Sequence, residues 1–328
     1  MWDIALINVK AEANATANNN DECHLNRRFH GACVALAATM CLLWNGASAQ
    51  ELMPRAYWPT PNGTNVFVGA YGRSVGDIVT DPSLPVTGVD SKIDNLSFTY
   101  QRTFSLFERT AKVQFTVPYS RGDTEGIVDN MPLQRHTSGI GDTRVRFVLN
   151  LQGAPSMDRA AFAELRKNPR TIVGASLLIQ APTGNYESDR LINIGTNRWS
   201  VKPAIGMIVP VRPTWLFEAE LGVWFFGDNK DFLGQTREQK PIVSTEFHLI
   251  KQIRPGLWAS LDANFYVGGQ TNIGDSTQAN LQRNSRVGVT FVIPIKGRHA
   301  IRTSYSTGAV TTTGGDYEMY SLSYLIAW

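Results

Sequence analysis

Several residue types are scarce in this sequence, and each scarcity argues against a class of protein. The only cysteines are Cys23, Cys33 and Cys41, so the chain beyond residue 41 can hold neither a disulfide nor a cysteine metal site. After residue 50 no apolar run is long enough for a helical span, which argues against a helical membrane protein. Charged residues make up only 18% of the chain and the net charge is +3, so nucleic acid is not an expected partner.

Histidine is also rare, which limits the chemistry that the chain could perform. Beyond residue 50 the only histidines are His136, His248 and His299. They form no His, Asp and Glu cluster with metal-ligand spacing, so we expect no metal and no cofactor. Ser138 lies close to His136, which leaves a lipase-like barrel hydrolase as a third alternative, but both fall in a long polar stretch. We therefore expect that the protein is not an enzyme.

A secretory signal is predicted near the amino terminus. Arg27 and Arg28 precede an apolar run from Gly31 to Trp44, and the sequence Ala47-Ser48-Ala49 follows. A positive region, a short apolar core and an A-x-A sequence in this order are typical of a signal peptide, here cleaved after Ala49. The protein is therefore predicted to be exported.

Alternating segments fill the rest of the chain. In one of them, Val113 and Phe115 share one face of an extended strand, whereas Lys112 and Gln114 share the other. Segments of this kind, separated by turn-rich stretches, are typical of a transmembrane barrel, and we count about twelve. They are Thr64–Gly72, Lys92–Phe104, Thr110–Tyr119, Thr143–Leu151, Thr171–Ala181, Arg198–Val209, Thr214–Phe226, Pro241–Ile250, Leu257–Gly268, Arg286–Pro294, His299–Thr307 and Tyr317–Trp328.

The connections between these segments alternate in length, which is a second indication of a barrel. Short turns follow the second, sixth, eighth and tenth segments, and long polar loops follow the first, third, fifth, seventh and ninth. Outer-membrane barrels show this pattern, with short periplasmic turns and long external loops. The exception is Gln152–Arg170, which contains a predicted short periplasmic helix, MDRAAFAELRK.

The predicted fold is therefore all-β: a transmembrane antiparallel up-and-down β-barrel of about twelve strands, of the bacterial outer-membrane type. Residues 1–49 are predicted to be a polar extension plus the signal peptide. Residues 50–63 are predicted to be a periplasmic amino-terminal segment, and residues 64–328 form the barrel.

The last segment is predicted to close the barrel by pairing with the first and the eleventh. Its large side chains alternate with small ones, so they should face lipid, with the final tryptophan in the periplasmic aromatic girdle. These side chains, which also form a candidate barrel-assembly signal, are Tyr320, Leu322, Tyr324, Ile326 and Trp328.

Charged side chains within the segments should face the interior, because Arg or Lys facing lipid at the midplane costs about 2–4 kcal/mol. Two interpretations of these charges stay open: ion pairs that fill a narrow interior, or a polar constriction that orients a solute. The candidate pore-lining residues are Lys112, Arg144, Arg146, Lys202, Glu218, Glu220, Glu246, Asp262, Arg286 and Arg302.

Three short motifs carry a family resemblance. They are Ser138–Arg146 with its G-I-G-D sequence, Ala181–Tyr186 with its P-T-G sequence, and Asn193–Gly206. The G-I-G-D sequence lacks the lysine and helix of a phosphate loop and is interpreted as a turn that enters a strand, in which Asp142 bonds turn amides or a neighbouring loop.

In these motifs, and across Glu51 to Trp328, the chain resembles the outer-membrane proteins of the meta-pathway phenol-degradation family. The resemblance implies a barrel that admits aromatic or otherwise hydrophobic compounds. It also implies a carboxy-terminal strand that the barrel-assembly machinery recognises. No solute-binding residues of the family can be assigned to positions of this sequence.

Two functions remain as hypotheses. The first is a porin-like channel in the outer membrane of a Gram-negative bacterium, which contacts the lipid bilayer and takes up small hydrophobic or aromatic solutes. The alternative is a non-conducting structural or partner-binding barrel.

Overall fold

The structure is a computed structural model that describes residues 52–78, 87–128, 130–312 and 316–328. The predicted signal peptide lies outside these ranges. Within them, no helix combines the length and the apolar character needed to cross a membrane.

Twelve antiparallel strands close into a barrel, each paired with its neighbours along the chain. The barrel strands are β1 (Asn65–Gly76), β2 (Thr87–Leu106), β3 (Arg109–Val128), β5 (Arg144–Gln152), β6 (Ile172–Gln180), β7 (Ser200–Arg212), β8 (Trp215–Phe226), β11 (Ile242–Arg254), β12 (Leu257–Gly268), β15 (Gln282–Pro294), β16 (His299–Val310) and β17 (Tyr317–Ala327). This confirms the predicted antiparallel up-and-down barrel.

The last strand closes the sheet as the sequence predicts. β17 pairs with β1, with Tyr324 opposite Gly69, and also with β16, with Tyr324 opposite Ile301. Tyr324 is 46% exposed and Trp328 is 50% exposed, on the outer face of the sheet. The ring centroid of Trp328 lies 6.4 Å from that of Tyr100 on β2. The predicted pairing of the last strand is therefore confirmed.

Two opposite faces follow from the alternation along each strand. Phe98, Ile205 and Leu261 point outward and are all more than half exposed, whereas the polar side chains between such residues point inward and are mostly buried. An apolar outer surface around a polar interior is the arrangement that a lipid bilayer requires of a barrel.

The extracellular ends of the barrel differ from the predicted loops. β2 and β3 are each 20 residues long, and β4 (Met131–Ile140) pairs with the end of β3. Four further strands form a separate small sheet: β9 (Asn229–Phe232), β10 (Gln235–Gln239), β13 (Thr271–Ile273) and β14 (Ser276–Thr277). Most residues of these short strands are polar, so no apolar alternation marks them in the sequence.

The predicted periplasmic helix is present as α1 (Arg159–Lys167). Asp158 caps it, because the carboxylate accepts a hydrogen bond of 2.8 Å from the amide of Ala161. Arg166 and Lys167 lie in the last turn, where they complement the helix dipole. Leu165 is the buried residue of the helix and packs beneath the barrel interior.

Candidate functional site

A connected group of charged side chains lines the barrel wall. We call this group the charged belt, and it consists of Arg146, Lys202, Glu220, Glu246, His248 and Asp262. Its members come from β5, β7, β8, β11 and β12, and all of them point inward.

Lysine bridges two carboxylates that face each other. Glu220 on β8 lies directly opposite Glu246 on β11, an arrangement that would be repulsive by itself. The Nζ of Lys202 lies 2.8 Å from Glu220 and 3.0 Å from Glu246, so one cation compensates both. Gly222 on β8 leaves room for this lysine, because a Cβ there would lie 2.5 Å from the Lys202 Cε. Arg146 adds a second cation 2.5 Å from Glu220.

A histidine extends the belt toward β15. The Nδ1 of His248 lies 2.8 Å from Asp262, and its Nε2 lies 3.8 Å from Glu246. Thr290 donates a hydrogen bond of 2.7 Å to the second oxygen of Asp262. The belt is thus a continuous series of paired charges rather than a set of separate ones.

A different layer closes the periplasmic end of the same lumen. Buried apolar residues from the strand ends, from the loop that carries α1 and from residues before β1 pack into one cluster, which we call the periplasmic floor. Its members are Tyr57, Trp58, Val148, Ala154, Met157, Leu165, Ile172, Ile208, Leu216, Ile250, Trp258 and Val292.

The residues before β1 enter the barrel. We call residues 52–63 the strap. Glu218 on β8 accepts hydrogen bonds from the amides of Arg55, at 2.5 Å, and Tyr57, at 3.3 Å. Lys112 on β3 donates to the carbonyls of Ala56, at 2.5 Å, and Trp58, at 3.2 Å. The strap backbone is therefore held from two sides of the wall.

An arginine of the strap sits on aromatic rings of the floor. The guanidinium carbon of Arg55 lies 4.6 Å from the ring centroid of Trp258 and 5.2 Å from that of Trp58. Burial lowers the pKa of Arg55 to about 10, although the charge of Glu218 opposes this shift. The group stays protonated near neutral pH and can keep its contact with the rings.

The strap differs from the sequence expectation, which placed residues 50–63 in the periplasm. The segment has no alternating pattern, and the wall groups that hold it, such as Lys112 and Glu218, look like ordinary inward-facing charges. Only their contacts with Ala56 and Tyr57 show that this part of the chain belongs inside the barrel.

The ten candidate pore-lining residues fall into three groups. Lys112 and Glu218 hold the strap, and five others belong to the charged belt. The remaining three are arginines on other parts of the wall. Arg144 donates a hydrogen bond to Gln180, and Arg286 donates one to Ser306. Arg302 is half-buried on β16. That they line a pore stays a prediction.

His248 and Tyr57 are not among the candidate site residues that the sequence predicts. His248 lies two positions after Glu246 on the inward face, so the alternation contained a signal for it. No comparable signal marks Tyr57.

At the external end, Asp142 binds two of the three motifs that carry the family resemblance. Its carboxylate accepts hydrogen bonds from the amide of Gly184 at 2.9 Å, and from the amide and hydroxyl of Thr196 at 2.9 and 2.6 Å. Gln180 donates a further bond of 3.1 Å. The interpretation of Asp142 as a residue that bonds turn amides and a neighbouring loop is confirmed.

The residues of the hydrolase alternative lie on an exposed hairpin. The Nδ1 of His136 is 2.9 Å from Asp123 on the adjacent strand. Together with Ser138, His136 borders a shallow polar cleft of about 200 Å³ between β4 and the loop that contains Glu187. The cleft is open to solvent, so it does not exclude water from a reacting group.

Three solved structures are similar to this chain. The crystal structure of an outer-membrane channel from Pseudomonas putida F1 matches with a TM-score of 0.71 and 21% identity, covering 85% of this chain and 100% of that one. The transport unit of an Escherichia coli autotransporter matches with a TM-score of 0.48 and 11% identity, covering 89% and 97%. The toluene transporter from Pseudomonas putida matches with a TM-score of 0.44 and 11% identity, covering 87% and 95%.

The first of these matches confirms the predicted fold, a bacterial outer-membrane barrel. No match is found among the curated proteins. The family model described as "Putative MetA-pathway of phenol degradation" matches residues 64–324, almost the whole barrel, and the chain therefore belongs to this family.

Proposed function

We propose that the protein is a channel of the bacterial outer membrane that admits small hydrophobic or aromatic compounds without changing them chemically. The observation that carries this proposal is a closed barrel with an apolar outer face and a charged inner one. Charged side chains around a narrow lumen are how channels select and orient solutes. The family description, which refers to phenol degradation, supports an aromatic solute. The similar barrel from Pseudomonas putida F1 is described as a channel.

Passage requires that the floor opens. Wall residues such as Ile208 and Leu216 are fixed in strands, whereas the strap, residues 52–63, lies outside every barrel strand. The strap is therefore the part of the floor that can move toward the periplasm while every pair of barrel strands stays intact.

Uptake by whole cells tests the proposal. Gram-negative cells that lack their own aromatic transporters would express the protein, and the initial uptake of radiolabelled p-cresol and toluene would be compared with that of vector controls. We expect faster uptake in proportion to the amount of folded barrel. Uptake equal to that of the vector controls, with folded barrel present in the outer membrane, would contradict the proposal.

The packed floor is also the one observation that favours the second candidate, a non-conducting barrel that binds a partner or supports the envelope. This candidate predicts that removal of exposed loops abolishes function, whereas charge reversal at Glu220 leaves permeability unchanged. The uptake experiment with an E220K variant separates the two, because a channel should change its solute preference.

The barrel-assembly machinery is a further proposed partner. Trp328 ends the chain next to β17, with its ring near Tyr100 at the outer face. We expect that deletion of Trp328 lowers the yield of heat-modifiable, folded barrel in the outer membrane, whereas W328F keeps it. An unchanged yield after the deletion would count against this partner.

A further inference from the structure

The wall of the barrel contains a notch with the shape of a flat ring. Gly174 on β6 and Gly206 on β7 are direct cross-strand partners. A Cβ on Gly174 would lie 2.5 Å from the ring of Tyr57, and a Cβ on Gly206 would overlap that ring. Two glycines at paired positions therefore remove the side chains that would otherwise fill this place.

The far end of the notch binds a hydroxyl group. The hydroxyl of Tyr57 donates a hydrogen bond of 2.7 Å to Glu220 and lies 3.1 Å from the Oγ of Ser176. Glu220 is itself held by Arg146 and Lys202, so the position of this acceptor is fixed. The Arg146 guanidinium carbon lies 5.9 Å from the Tyr57 ring centroid, which adds a cation near the ring.

All of these groups belong to the wall and none to the strap. β5, β6, β7 and β8 supply the glycines, the carboxylate, the serine hydroxyl and the guanidinium. The strap contributes the side chain of Tyr57, which is a para-alkyl phenol, and the thioether of Met53, which lies 3.9 Å from a guanidinium nitrogen of Arg146. The site thus stays complete when the strap leaves, and it then lacks one phenol.

We propose that the notch between Gly174 and Gly206 is a binding site for small phenols, and that the strap occupies it with a phenol of its own. This inference rests on the proposed function, since the solute must enter the lumen. The ring fits against the two glycines, and the hydroxyl replaces that of Tyr57 on Glu220 and Ser176. An aromatic hydrocarbon without a hydroxyl fills the same space but leaves the buried carboxylate without that donor, so it binds more weakly.

Competition between the solute and Tyr57 for the notch couples binding of the solute to the position of the strap. The notch holds one ring at a time, so a phenol bound there favours the state in which the strap is withdrawn. The solute that the channel admits would in this way open the floor, and Tyr57 would close it again when the solute leaves.

Binding to an emptied notch tests the site directly. Purified, folded barrel with Tyr57→Gly would be titrated with p-cresol and with toluene by isothermal titration calorimetry, and Tyr57→Ala would serve as a second variant of the same design. We expect saturable binding of p-cresol that is at least about tenfold tighter than that of toluene, or ~1.4 kcal/mol. The wild-type barrel should bind p-cresol at least about tenfold more weakly, because its own ring competes.

A matched control fills the notch again. In the Tyr57→Gly background, Gly206→Val places a side chain where the ring lay, and heat-modifiability shows whether the barrel is still folded. Binding of p-cresol should then be lost, while any partition into detergent stays the same.

Three results would overturn the site: no saturable binding to either folded variant, equal affinity for p-cresol and toluene, or undiminished binding after Gly206→Val. These results are independent of uptake. Uptake by the wild-type protein without binding in the notch would refute the site alone, and binding without uptake would refute the channel.

Discussion

The periplasmic floor and the charged belt lie in the same lumen, but different forces stabilise them. The floor combines apolar side chains of the wall with the strap, and its stability comes from the removal of residues such as Leu216 and Tyr57 from water. The belt consists of wall residues alone, and its stability comes from ion pairs such as the one between Lys202 and Glu246. The belt therefore keeps all its members whether or not the strap is present, whereas the floor loses Tyr57 and Trp58 when the strap leaves.

The largest expected effect comes from breaking the belt. In the variant K202M two buried carboxylates, Glu220 and Glu246, lose the cation between them, which should lower the free energy of unfolding by about 3–5 kcal/mol. Urea unfolding of the barrel in lipid vesicles measures this loss. The control K230M changes an exposed lysine on β9 and should alter stability by less than about 0.5 kcal/mol. Equal stability of the two variants would show that the belt is not a paired network.

A somewhat smaller effect is expected in the floor. L216A removes a fully buried side chain from the cluster, at a cost of about 2–5 kcal/mol that depends on how far the surrounding residues collapse into the space. The matched control L221A, on the same strand, removes an outward-facing leucine that is 49% exposed. The comparison fails if L221A destabilises the barrel more than L216A does, because Leu216 would then not be part of a packed core.

The smallest of the three effects is expected at the external loop, away from both regions. In D142N one of the two carboxylate oxygens that accept from the amides of Gly184 and Thr196 is replaced by an amide nitrogen, which cannot accept. The loss of this hydrogen bond should cost about 1–3 kcal/mol of stability. Trypsin should then cleave faster after Arg190, which is exposed in the same loop. D228N, at an exposed turn, is the control. An unchanged cleavage rate in D142N would mean that this carboxylate does not hold the loop.

The barrel could be predicted from sequence because lipid outside and polar groups inside impose a period of two on every strand. The pattern gave the inward position of residues such as Lys112 and Glu218 and the closure of the last strand on the first. It could not show the external extensions of β2 and β3, because inward-facing residues there, such as Ser91 and Thr124, are as polar as outward-facing ones such as Asp123.

The ion pairs of the charged belt and the place of Tyr57 in the floor were not predictable for a different reason. Contacts such as that between Lys202 on β7 and Glu246 on β11 cross an intervening strand, so they depend on strand order and stagger rather than on local pattern. Gly174 and Gly206 look like ordinary glycines of a strand until Tyr57 is placed against them. The sequence around Tyr57 has no period that indicates a partner.

We expect the strap to be the part of the floor that closes the periplasmic end of the lumen. Single-channel conductance in planar bilayers would compare the wild-type barrel with a variant that lacks residues 52–60. We predict rare or small openings for the wild-type protein and a steady conductance several-fold larger for the variant. The same small conductance in both proteins, with the variant shown to be folded, would contradict the claim.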